Sequence, residues 1–153
     1  MKHVSVLIIV VGGLLASSCQ KDMECFVTAQ SLDFSLVDPS GAFILTEADT
    51  NTVQVTYLDA DDLSVTVPDV RVEETVIQDQ YKITSIEMVN LAHQSPDLVF
   101  TLTFRDQVLG EVTLDTYEEN TVCDPWYVTS ALRFNGEPAE QNAIETYLIE
   151  VNP

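Results

Sequence analysis

The sequence predicts an all-β protein, an antiparallel β-sandwich of about nine short strands. Three observations carry that expectation. Apolar and polar residues alternate through one stretch after another, as where Leu32, Phe34 and Leu36 interleave with Ser31, Asp33 and Ser35. Turn residues punctuate the chain about every 8 to 12 positions, from Asp38-Pro39-Ser40-Gly41 to Asn135-Gly136. Helical spacing competes between Tyr81 and Leu91, but the alternation of Tyr81, Ile83 and Ser85 favours a strand there, with a loop from Ala92 to Asp97.

The first 24 residues stand apart from this pattern. A basic start, Met1 to His3, is followed by the apolar run Val4 to Leu15 and by Ala16, Ser17 and Ser18 before Cys19. That is the order of a secretory signal, and its apolar run is shorter than the roughly 20 residues a spanning helix needs. The small residues ending in cysteine resemble a bacterial lipoprotein lipobox, although Ala16 stands where Leu is usual. The resemblance implies that residues 1–18 are removed and that Cys19 is acylated and becomes the N-terminus. Residues 19–24 then form a tether, in which Gln20, Lys21, Asp22 and Glu24 resemble the signal that sends some lipoproteins to the outer face of the outer membrane. The two or three acyl chains of such a cysteine suffice for stable anchoring.

Residues 25–153 have the length of a single domain. With Cys19 assigned to lipid, Cys25 and Cys123 are expected to form one disulfide, as cysteines of an exported chain do. Closing a loop of about 100 residues would stabilise the fold by about 4–5 kcal/mol in the chain-entropy model.

Leu32 to Leu36 is the first strand, and Ala42 to Leu45 can return as a second. Val53, Val55 and Tyr57 share a face of the next, the acidic turn Asp59 to Asp62 follows, and Leu63, Val65 and Val67 continue until Pro68, which has no N–H for a ladder. Val70 and Val72 open a short extended piece. Leu98, Phe100, Leu102 and Phe104 mark the clearest strand, and Arg105, Asp106 and Gln107 turn it into Val108 to Tyr117, with a bulge at Gly110. In Trp126 to Phe134, the residues Trp126, Val128, Leu132 and Phe134 share one parity. Asn135-Gly136 is the strongest hairpin signal, Pro138 suits a simple return strand badly, and Ala143 to Val151 is the last strand. The early strand and turn, the segment Val112 to Thr116 and the Arg133-Phe134-Asn135-Gly136 hairpin after a cysteine resemble a loose set of small bacterial surface lipoproteins. That resemblance implies a sandwich, immunoglobulin-like or related, and no particular activity.

Twenty-five Asp and Glu against six Lys and Arg give a formal charge of −19. Such a chain repels phosphate backbones, so nucleic acid is excluded as a partner, as is electrostatic docking on an anionic membrane. His93 is the one histidine beyond the signal, and neither Gly-x-Ser-x-Gly nor His-Glu-x-x-His occurs, so it is expected to be a solvated loop side chain. Carboxylates are spread over strand faces and turns, which leaves a small carboxylate-based hydrolase as the remotest alternative.

No cofactor is expected unless it is calcium, for which Asp59, Asp61 and Asp62 offer closely spaced acids in a turn without the EF-hand pattern. Trp126 and Tyr127 are the candidate ligand contact, with core packing beside the disulfide as their plainer role. The expectation is a non-enzymatic interaction or accessory module at the cell envelope. It would be held to the outer membrane by lipid, face outward and meet an envelope protein or glycan. A calcium-dependent or aromatic-platform binder of extracellular glycan is the alternative.

Overall fold

The computed structural model describes residues 30–119 and 126–152. The signal and tether, Cys19, and the expected pair Cys25 and Cys123 lie outside the described residues. Strands β1 (Leu32–Val37), β4 (Arg71–Glu74), β5 (Tyr81–Ser85), β10 (Glu140–Gln141) and β11 (Tyr147–Glu150) form one sheet in the order β10-β11-β1-β5-β4. Strands β2 (Val53–Leu58), β3 (Ser64–Thr66) and β6 (Phe100–Phe104) join β7 (Gln107–Glu119), β8 (Trp126–Phe134) and β9 (Glu137–Pro138) in a second. Its order is β3-β2-β6-β7-β8-β9. The fold is thus the expected sandwich, with eleven strands among the described residues in place of about nine.

Alternation makes the core. Phe34, Leu36, Ile83 and Ile149 of the first sheet and Val55, Phe100, Leu102 and Leu114 of the second belong to one buried cluster. Both expected hairpins form: Phe134 pairs with Glu137 around Asn135-Gly136, and Phe104 pairs with Gln107, which shortens the expected turn of Arg105, Asp106 and Gln107 to its first two residues. The bulge expected at Gly110 appears as a register shift opposite Leu102 and Thr103.

Three expectations need correction. Ala42 to Leu45 is not a strand: a single bridge, Val37 to Phe43, forms there. The pairing is not wholly antiparallel, because β1 and β11 run parallel from Phe34 and Tyr147 to Val37 and Glu150. The strand proposed over Tyr81 to Leu91 stops at Ser85, and an α-helix, α1 (Glu87–Gln94), follows.

The helix exists because its N-terminal donors are satisfied from outside. Asp69 accepts the N–H groups of Ile86 at 2.8 Å and Glu87 at 3.0 Å, while the Ser85 hydroxyl accepts that of Met88 at 3.1 Å and donates to Asp69 at 2.6 Å. These are orphan groups that a helix must place somewhere. Burial pushes the Asp69 carboxyl up, but the bonds from Ser85, Glu87 and Ile86 outweigh it and hold the group below the ordinary carboxylate range. Met88, Val89 and Ala92 then bury one face of α1 in the core.

Candidate functional site

The acidic turn closes on itself. One oxygen of Asp59 accepts the backbone N–H groups of Asp61 and Leu63, both at 2.9 Å, and Asp62 takes the left-handed conformation with φ 59°. Asp59 therefore caps its own turn. Asp38 repeats the device, accepting from the Ser40 hydroxyl and from the N–H groups of Ala42 and Ser40, and these bonds lower its pKa. Among the described residues no three His, Cys, Asp or Glu side chains converge to hold a metal ion.

Trp126 and Tyr127 do not form a common platform. Neighbours on a strand point to opposite faces, and a second bulge decides which faces these are. Leu114 pairs with Leu132 and Asp115 with Ala131, but Thr116 pairs with Thr129, so Ser130 is the extra residue. The shared parity of Trp126 and Leu132 is broken there. Trp126 falls on the outer face with Tyr117, and its indole N–H donates to Glu119 at 3.2 Å. Tyr127 falls on the inner side and stacks on His93, with ring centroids 3.8 Å apart and 16° between planes.

His93 is accordingly not a solvated loop side chain. It sits half-buried in the last turn of α1, with Nδ1 3.5 Å from the Thr116 hydroxyl. Together with Pro96, Leu114, Asp115 and Thr116 it borders a recess of about 220 Å³. Asp115 does not serve it as a partner, being ion-paired with Arg133 at 2.7 Å. The other ion pairs also tie elements together. Lys82 meets Asp33 between neighbouring strands, and Arg105 grips buried Asp49 through two bonds of 3.0 and 3.1 Å. Three of the four described cations are so engaged.

Another recess lies elsewhere, at the corner where the chain passes from one sheet to the other. After the Asn135-Gly136 turn, Glu137 and Pro138 pair with β8, Ala139 donates its N–H to Leu132 at 2.9 Å, and Glu140 and Gln141 pair with β11. One short extended run thus serves both sheets. Beside it opens a groove of about 320 Å³ with an apolar lining from Val37, Phe134, Pro138 and Leu148. Three exposed glutamates, Glu137, Glu140 and Glu150, border the same groove. Nothing in the sequence singles out the three glutamates. The available signal was Pro138 directly after a tight hairpin, a residue that cannot extend a ladder on both sides.

No protein-family model, curated protein or solved structure matches the chain.

Proposed function

We propose that this chain is a lipid-anchored interaction module of the bacterial cell envelope, facing outward from the outer membrane and acting by binding rather than by catalysis. The observation that carries the reading is the corner groove, where apolar surface and three carboxylates meet at the junction of the two sheets. The lipobox-like run ending at Cys19 supplies the anchor in this proposal. The acidity of the chain favours basic partners over phosphate-bearing ones.

Two measurements test it. Cells fed a palmitate analogue should label the wild-type protein and not Cys19→Ala, which should also leave the membrane fraction. Affinity capture of the acylated protein from gently solubilised membranes should recover a stoichiometric envelope partner by mass spectrometry. Labelling that survives Cys19→Ala would remove the anchor from the proposal, and recovery of the lipoprotein alone would remove the stable complex.

A second reading follows from the outer face of β7 and β8. Tyr117, 47% exposed, and Trp126 share that face and suit stacking on the apolar side of a sugar. Glycan-array binding lost in both Tyr117→Ala and Trp126→Ala would select this reading over a protein partner.

A further inference from the structure

The corner groove contains an unfinished strand edge as well as apolar surface. Val151 donates its N–H to Val37 on one side of β11, whereas Asn142 donates to Thr146 on the other. Backbone groups alternate along a strand, so odd positions of β11 address β1 and even positions address the side of β10. β10 covers that side only at Tyr147 and Leu148. Continuing the same register would set Pro138 opposite Glu150, but Pro138 has no N–H and pairs instead with Arg133 of β8. The N–H and C=O of Glu150 therefore face the groove, with no strand opposite them among the described residues.

We propose that the groove binds a short extended segment of a partner protein, carrying both apolar and basic side chains, that pairs with β11 where β10 stops. The proposal deepens the interaction-module reading and rests on it. Pairing with an open edge supplies backbone hydrogen bonds, and the alternate side chains supply specificity. Apolar side chains of the segment meet Phe134, Pro138 and Leu148, and its basic side chains meet the carboxylates of Glu137, Glu140 and Glu150 that border the groove. Charge complementarity selects the partner, because a second copy of this chain brings the same charge of −19 and is repelled.

The test uses the full-length acylated protein in detergent and a fluorescent hexapeptide of alternating lysine and valine, read by anisotropy at two salt concentrations. The triple variant Glu137→Gln, Glu140→Gln, Glu150→Gln should weaken binding about tenfold. The triple variant Glu73→Gln, Asp97→Asn, Glu118→Gln removes the same charge elsewhere on the exposed surface and should stay within about twofold of wild type. A peptide methylated on alternate backbone nitrogens should lose about tenfold, because it cannot pair as a strand.

Equal losses in the two triple variants would reduce the interaction to general charge attraction and overturn the proposal. Undiminished binding of the methylated peptide would overturn the strand pairing. An envelope partner still captured in full by the Glu137, Glu140 and Glu150 variant leaves the module reading standing and sinks the groove. Groove-dependent peptide binding with no partner captured from membranes does the reverse.

Discussion

The two tight hairpins of the six-stranded sheet reach the same backbone geometry by different routes. Asn135 and Gly136 have φ values of 51° and 84°, and Arg105 and Asp106 have 49° and 64°. Asn and Gly accept that conformation at little cost, whereas a long side chain does not. The Arg105 turn is held from outside, by two bonds to Asp49, by its own N–H donated to Thr52 at 2.8 Å and by its guanidinium 4.5 Å above the Phe104 ring. One turn is specified by its own residues and the other is imposed by the Glu47–Asn51 turn packed against it. The local turn reaches outward only to Glu111, whose N–H the Asn135 side chain accepts at 2.9 Å and whose carbonyl accepts the Asn135 N–H at 2.8 Å, across the chain at Gly110.

The largest expected effect separates those routes at Gly110. A Cβ there would lie 2.3 Å from Asn135 Oδ1. Gly110→Ala should push that side chain off Glu111 and cost about 2–3 kcal/mol, measured by urea unfolding. An unchanged midpoint would mean that Asn135 relaxes freely.

Asp49→Asn should come next, at about 2 kcal/mol. Burial raises the Asp49 carboxyl, but Arg105, Thr46 and Thr52 together hold it at about 2, below the ordinary 3.8. A carboxyl lowered by folding stabilises the native state above the unfolded pKa and loses that effect as it is protonated. The gap between wild type and Asp49→Asn should therefore be full above about pH 4 and close towards about pH 2. A gap that persists at acid pH would show that shape rather than charge holds the imposed turn.

Asn135→Ala should cost about 1–2 kcal/mol, through left-handed strain and the lost bond to Glu111, and Asn135→Gly should recover the backbone part. At Arg105 glycine should recover little, since the ion pair is what holds that turn. The smallest effect belongs to the self-capped turn at Asp59. Asp59→Asn should lower stability by less than about 1 kcal/mol, and calcium should move the wild-type melting temperature no more than magnesium at equal ionic strength.

The same division between local and imposed structure explains what the sequence made legible. β1, β6 and β8 could be read because alternation and turn chemistry are local, and the bulge at Gly110 because glycine announces it. α1 could not, since its cap comes from Asp69 on another segment and Ile86 itself offers no capping oxygen. Alternation also tells which residues face inward without telling which strand lies alongside, so the parallel partner of β1 was hidden. Trp126 was grouped with Tyr127 although strand parity separates neighbours. The extra residue at Ser130, which turns Trp126 away from the core, carries no comparable signal. The corner groove was beyond reach for a further reason: it depends on where Pro138 sends its pairing.

The parallel pairing of β1 with β11 also governs the order of assembly. β1 lies between β5 and β11, and its residues Leu32, Phe34 and Leu36 are fully enclosed. Until residues 147–150 arrive, one side of that central strand is an open template. A nascent chain can form the local hairpins of the other sheet early, but the sandwich closes across nearly its whole described length, in one late step. Such high contact order predicts slow folding. It also makes the incomplete chain, rather than the finished protein, the species most exposed to wrong pairing.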